Sequence, residues 1–348
     1  MPPVERPSPL AARFVSSLSM LAAVALGCSS SSGSDPQFAE GSGTVVLPGP
    51  PGAERLNVSP SDPQDLPGVD TSELVPRERR QWWKLVSQLY SPCPDQAVSI
   101  AQCVKEQRPC AACPAAAQML ASRVRSGATV AECEAVYGAR FGPNVKNPDL
   151  TGSPSRGPAA APVTIVVWSD FQCPACKHAL PIIDQAAEKH ANHVRLVHKF
   201  YPLKMHTHAE VAAKAAVAAH NQGRYWQLEK LLFDNQNALT ETDLDKYAKA
   251  VGLDMARFHA DMGSEKTAAV IQRDKAEAEK AGLSGTPFIL VNGREVVLGL
   301  FRVDSELEPW VALEVDLAQK SKAMMKAAPA PSSPPPGDAR PPTSPSPN

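Results

Sequence analysis

An excess of charge of either sign is missing from this 348-residue chain: 35 Lys and Arg stand against 36 Asp and Glu, a formal net charge of −1. That balance argues against a nucleic-acid-binding surface, which needs a basic surplus to neutralise phosphates. A membrane-spanning run is missing too. "FVSSLSMLAAVALG", near the N-terminus, holds about fourteen mostly apolar residues, short of the roughly 20 that a spanning helix needs. Histidine is absent before His178, so the first half of the chain has no imidazole to offer a metal. Proline, by contrast, is abundant: 35 residues, concentrated before residue 77 and after Ala328. Such a chain does not fold throughout.

The N-terminal pattern is that of an export signal, with Arg6 and Arg13 ahead of the apolar run. "ALGC", Ala25 to Cys28, resembles a bacterial lipoprotein cleavage box, although leucine is more usual where Ala25 stands. The resemblance implies a signal peptide over residues 1–27 and a lipid on Cys28. It places the protein in the cell envelope, facing the periplasm or the outside and not the cytoplasm, where disulfides persist. Residues 28–70 are rich in Ser, Gly, Pro and Asp and lack apolar periodicity, so they are expected to form a disordered tether. About 42 flexible residues would span about 35 Å. Residues 327–348 are expected to be a disordered Pro-rich tail.

Residues 71–142 read as a small helical module. "SELVPRERRQWWKLVSQLY" sets Trp82, Trp83, Leu85, Val86 and Leu89 as a helical stripe. "CPAAAQMLASRVRSG" is an Ala-rich helix stopping at Gly127, and "ATVAECEAVYGARFG" supplies a further short helix. The module is similar to the small helical family of cytochrome c maturation over about 55 residues. That family keeps a C-x-x-C near Cys93, where this chain has Gln96 in the second position. Cys93, Cys103, Cys110, Cys113 and Cys133 all lie here, an odd number. A Cys₄ zinc site competes with disulfides, and an exported location favours the latter. Two readings stay open: two structural disulfides with a leftover thiol, or Cys110-Ala-Ala-Cys113 as a second redox pair exchanging electrons with the pair described next.

After a linker over 143–161, the main domain is expected over 162–326. "VTIVVWSDF" is β-branched and apolar, as in a strand buried on both faces, and leads into Cys173-Pro174-Ala175-Cys176 and a helical pattern. "HVRLVHKFYPL" alternates like a strand, and residues 204–283 read as helical. Thr240-x-x-Asp243 and Ser305-x-x-Glu308 look like capping patterns, and Asn292-Gly293 like a hairpin turn.

A cysteine at a strand-to-helix junction faces unpaired N–H groups and the positive end of the helix, which favour its thiolate. Cys176 lies one turn on, placed to resolve a mixed disulfide. As a structural staple the pair would close too small a ring to remove much chain entropy. As a zinc half-site it lacks partners, since His206 and His208 read as surface histidines; no metal and no cofactor are expected.

The order strand, C-x-x-C, helix, strand, helical insertion, Thr-Pro-strand, hairpin, helix resembles the thioredoxin superfamily. "SDFQCPACKHA", "KFYPL" and "SGTPFILVNG" carry that likeness, specifically to its DsbA-like branch, which has an α/β fold with a helical insertion. The resemblance implies a thiol–disulfide oxidoreductase with Cys173 as nucleophile, Cys176 as resolving thiol and a cis Pro287 facing both. Asp170, Phe171, Pro174, Ala175, Thr286 and Pro287 become the surrounding candidates for the active site and substrate contact. Many relatives place a buried acid six residues before the first cysteine, where this chain has Val167. The implied partners are exported proteins with cysteines and a membrane redox partner that resets the pair. Oxidation or isomerisation is favoured over reduction. A tethered peptide-binding protein, or a reductase linked to cytochrome c maturation, is the alternative.

Overall fold

A computed structural model of the chain describes residues 62–327 apart from residue 94. The signal peptide, Cys28, most of the tether and the C-terminal tail lie outside the described residues.

The first module packs helices α1 (Pro76–Gln88), α2 (Ile100–Lys105), α3 (Ala112–Arg125) and α4 (Val130–Phe141). Pro76 suits the first turn of α1, where its absent N–H removes an orphan donor. Ser99 caps α2, and Thr129 with Glu132 forms a capping box on α4. Trp82, Leu85 and Val86 bury against Ile100, Ala117 and Leu120, and the Trp82 indole donates to the Ala117 carbonyl at 3.0 Å. The sequence reading misses α2, because six residues are too few to show a helical period.

The second part is a five-stranded sheet in the order β1-β3-β2-β4-β5. Its strands are β1 (Ser155–Arg156), β2 (Val163–Ser169), β3 (Val194–Phe200), β4 (Phe288–Val291) and β5 (Arg294–Glu295). β2 and β3 run parallel, joined by α5 (Pro174–Lys189), and the other pairings are antiparallel. The near-continuous apolar run of β2 is explained by burial on both faces. Ile165 and Val167 face a core holding Leu180 and Ile183 of α5 and Trp310 of α11 (Val303–Ala327). Val166 and Trp168 face Ala278 of α10 (Glu265–Lys280). Between β3 and α10 lie α6 (Ala209–Asn221), α7 (Tyr225–Asp234), α8 (Glu241–Ala250) and α9 (Met255–Met262). Thr240 and Asp243 form a capping box on α8, and Asn292 and Gly293 both take positive φ in the β4–β5 turn.

Three expectations need correction. Residues 62–70 do not float as a tether end: Leu66 is buried in the module core and Asp65 pairs with Arg79. The stretch 143–161 is not a free linker. Its β1 pairs with β3, Leu150 packs on the second sheet face, and Lys146 N–H donates to Gly293 O at 2.8 Å. Gly157, at φ +88°, lets the backbone pass so close that a Cβ would lie 2.1 Å from Val194 O. The last helix begins at Val303 and not at Ser305, with Glu306 reaching back to accept from Arg302 N–H at 2.7 Å.

Candidate active site

β2 ends at Ser169, the chain turns through Asp170–Gln172, and α5 begins at Pro174 with Cys173 as its N-cap residue. No side chain caps this helix, so its first N–H groups are left for the cysteine sulfur. Cys173 is 6% exposed and Cys176 is 0% exposed, while Pro174 and Ala175 between them are exposed. Both cysteines are free thiols. Any reagent therefore meets this turn at its Cys173 edge.

The Thr286–Pro287 peptide bond is cis, and the loop comes up against the pair: Cys173 Sγ lies 3.4 Å from Thr286 O. The Thr286 hydroxyl is buried and has no hydrogen-bond partner in this structure. A hydrogen bond from the Cys176 thiol lowers the Cys173 pKa to about 5, against the opposing effect of burial. The Thr286 side chain and the N–H groups of Cys176 and Ala175 add to that lowering. Cys176 is driven the other way, by burial first and then by the hydrogen bond it gives to Cys173. One sulfur is held as a thiolate and its neighbour as a thiol.

Residues 149–305 match a thioredoxin family model. This segment is a thioredoxin-like domain. The chain is similar to the Na(+)/H(+) antiporter NhaA 3 of Salinispora tropica, 39% identical over 140 residues, which cover 40% of this chain and 21% of that protein. It is also similar to the Na(+)/H(+) antiporter NhaA of Herminiimonas arsenicoxydans, 37% identical over 141 residues and 22% of that protein. The chain thus spans about a fifth of the length of these curated relatives. Among solved structures, a thioredoxin-like oxidoreductase from Silicibacter pomeroyi is 30% identical, with a TM-score of 0.43 over 47% of this chain and 92% of that one. BdbD from Bacillus subtilis is 21% identical, with a TM-score of 0.43 over 49% and 97%.

Within the thioredoxin-like domain, Asp170 is a hub beside the pair. Its buried carboxylate accepts from Gln172 N–H at 2.6 Å, Leu203 N–H at 2.8 Å and His206 Nδ1 at 2.7 Å. Its carbonyl accepts from Cys173 N–H at 3.1 Å, and its own N–H bonds the Cys176 sulfur. Asp170 therefore does not cap α5, the bland role open to it, and it is too buried to touch a substrate. His206 is tied to that carboxylate, so it is no simple surface histidine. His208 N–H donates to Gln172 Oε1 at 2.6 Å.

Phe171 also sits beneath the surface. At 1% exposure, with its ring 4.9 Å from that of Phe233, it supports the turn and does not line a substrate surface. Sequence reasoning missed Gln236, whose amide donates to the carbonyls of both Phe171 (2.8 Å) and Cys173 (2.9 Å). It arrives from the loop between α7 and α8, 63 residues from Cys173, and no local pattern announces it.

Val167 is fully buried. Behind Phe171 lies a different buried set: the Ser169 hydroxyl bonds His198 Nε2, and Glu229 Oε1 is 3.8 Å from His198 Nδ1. Burial lowers the His198 pKa to about 3 and raises that of Glu229 to about 8, the latter helped by Asp184 and opposed by Arg156. Both are neutral at pH 7. The sequence hid this cluster because its members come from β2, β3 and α7.

In the helical module Cys93 bonds Cys110 and Cys103 bonds Cys113, with Cys133 left as a buried free thiol. Burial raises the Cys133 pKa to about 11, which keeps it unreactive. The module's disulfides lie at the other pole of the sheet from Cys173. They border a cavity shared with Lys320, and the adjacent Gln319 bonds His193, where β3 is about to begin, while Cys173 follows the far end of β2. The structure bonds neither Cys110 to Cys113 nor either of them to Cys173 or Cys176.

Proposed function

We propose that the thioredoxin-like domain is a thiol–disulfide oxidoreductase acting on exported proteins through Cys173 and Cys176, as an oxidase or isomerase more than a reductase. The observation that carries this reading is the opposite treatment of two sulfurs one helical turn apart: Cys173 held near pKa 5 at the surface edge, Cys176 buried and held protonated. Stabilising the thiolate stabilises the dithiol form, which makes the corresponding disulfide a better oxidant.

In the oxidising direction, a substrate thiolate attacks Cys173 Sγ of the closed pair. The Cys173–Cys176 bond breaks, and Cys176 leaves with the electron pair and takes up a proton. The substrate's second thiolate then attacks its own sulfur in the mixed disulfide, forming the product disulfide and releasing Cys173 as the stable thiolate. In isomerisation the Cys173 thiolate attacks a substrate disulfide, and Cys176 stands by to release a trapped complex. The exposed Pro174–Ala175 edge and the backbone of Thr286 offer the extended contact surface for such a substrate. The N-terminal pattern supports an exported, lipid-anchored protein modified at Cys28. The pair is then reset by a redox partner in the membrane.

Trapping tests the assignment. With a reduced, cysteine-containing exported protein as substrate, Cys173→Ser should be inert and Cys176→Ser should accumulate mixed disulfides. Equal trapping by both variants would overturn it.

A further inference from the structure

The two disulfides of the helical module lie side by side. The sulfurs of Cys103, Cys110 and Cys113 all lie within 4.8 Å of one another, although Cys110 is bonded to Cys93 and the other two to each other. Cys93 is partly exposed, whereas Cys103, Cys110 and Cys113 are at most 3% exposed. A cavity of about 570 Å³, lined by Cys103, Val104, Pro109, Cys110, Pro114 and Lys320 among others, opens beside them. Ala111 precedes α3 without a capping side chain; in the first turn the Cys113 N–H donates to Cys110 O at 3.2 Å and Pro114 has no N–H.

We propose that these four cysteines form a second thiol–disulfide exchange centre, distinct from Cys173 and Cys176, which accepts two electrons from a dithiol and rests, half-reduced, as a Cys110–Cys113 disulfide. The incoming thiolate attacks the sulfur of Cys93, the partly exposed member of the four, breaking Cys93–Cys110 and releasing Cys110 as a thiolate. Cys110 attacks Cys113 within its 4.8 Å reach, forming Cys110–Cys113 and expelling Cys103, which takes up a proton. The second thiol of the incoming dithiol then attacks its own sulfur in the mixed disulfide with Cys93, leaving as a cyclic or product disulfide and freeing Cys93 as a thiol. The dithiol has lost two electrons and two protons; the module has exchanged two disulfides for one, plus the thiols of Cys93 and Cys103. Cys110-Ala-Ala-Cys113, which is not a bonded pair in the oxidised module, becomes one on reduction.

The sequence supplies a clean readout. Trypsin should place Cys93 and Cys103 together in the peptide 85–105, and Cys110 and Cys113 together in 106–123, because the Arg108–Pro109 bond resists cleavage. In the oxidised protein the two peptides are joined by both disulfides. The experiment treats the folded full-length chain, carrying Cys173→Ser and Cys176→Ser to silence the first centre, with one molar equivalent of dithiothreitol. Acid quenching, alkylation and peptide mapping follow. The double variant makes the result independent of the activity proposed for Cys173. The expected outcome is separation of the two peptides, with Cys93 and Cys103 alkylated and an internal disulfide in 106–123. Peptides still joined through one disulfide, whether Cys103–Cys113 or Cys103–Cys110, would overturn the proposal, as would a folded module that does not react.

Discussion

The side-chain amide of Gln236 lies 2.9 Å from the carbonyl oxygen of Cys173, so the helical insertion holds the redox turn through the backbone of its own nucleophile. The same amide satisfies the Phe171 carbonyl at 2.8 Å. Gln236→Ala should cost about 1–3 kcal/mol, because two carbonyls lose their donor. Gln236→Glu should cost more, since an acceptor would then face two acceptors. Urea denaturation of the reduced chain measures both. A Glu variant as stable as the parent would show that these bonds are not made in solution.

Thr286 is expected to tune the nucleophile. In the parent, alkylation of Cys173 should titrate with a midpoint near pH 5, while Cys176 stays unreactive through neutral pH. Thr286→Val keeps the shape and removes the hydroxyl that helps to lower the Cys173 pKa. One neutral hydrogen bond is worth about 1 kcal/mol, so the midpoint should rise by up to about one pH unit. An unchanged profile would assign the lowering to Cys176 and the backbone alone.

Asp170 carries the heaviest structural role at the site. Three N–H donors converge on its buried carboxylate, from Gln172, Leu203 and His206. Asp170→Asn turns one acceptor oxygen into a donor facing donors and should destabilise the reduced chain by about 2–4 kcal/mol. The 203–208 loop should loosen first, which hydrogen exchange at the Leu203 amide would report. Retained protection there would contradict this.

How far the sequence could be read follows from how local each signal is. The apolar run of β2, Thr240 with Asp243, and Asn292 with Gly293 act within a few residues, so pattern alone locates them. The thioredoxin-like fold is implied by the resemblance that "SDFQCPACKHA", "KFYPL" and "SGTPFILVNG" carry. Cys173, Cys176, Thr286 and Pro287 could be named because two short motifs carry them, and the fold brings them together. Phe171 and Asp170 are candidates by adjacency, and the fold turns both inward: the Phe171 ring onto Phe233, the Asp170 carboxylate onto Gln172, Leu203 and His206. Gln236, the His198–Glu229 pair and the strand within 143–161 depend on partners tens of residues away. A Pro- and Gly-rich stretch such as 143–161 looks unstructured until a sheet edge is there to receive it.

The buried Glu229 predicts a specific pH dependence. Its pKa is raised from 4.5 to about 8, chiefly by burial, so the folded state binds a proton that the unfolded state releases. Its contribution is complete below pH 4.5 and is lost as pH rises through 8, with a slope of at most about 1.4 kcal/mol per pH unit. His198 has the opposite dependence: its pKa, lowered to about 3, removes stability as pH falls from 6.5 towards 3. Glu229→Gln keeps the shape without the titration. It should match the parent near pH 4.5 and exceed its stability at pH 8 and above. A parent and variant that differ equally at every pH would show that Glu229 is already ionised in the fold.

The direction of electron flow gives the last prediction. A Cys173 thiolate held near pKa 5 stabilises the dithiol form and pushes the potential of the pair upward. Pro174 and Ala175 place no histidine between the cysteines to add a further donor, and Val167 offers no buried acid. The pair should therefore equilibrate with glutathione between the values of the strongest oxidant and of thioredoxin, about −120 to −270 mV. Because about 30 mV corresponds to 1.4 kcal/mol for two electrons, Thr286→Val should lower the potential by up to about 30 mV if its hydroxyl favours the thiolate. The parent's alkylation midpoint and potential must move together in that variant. A potential below that of thioredoxin, with a Cys173 midpoint near its ordinary value, would make the protein a reductant and remove the oxidase reading.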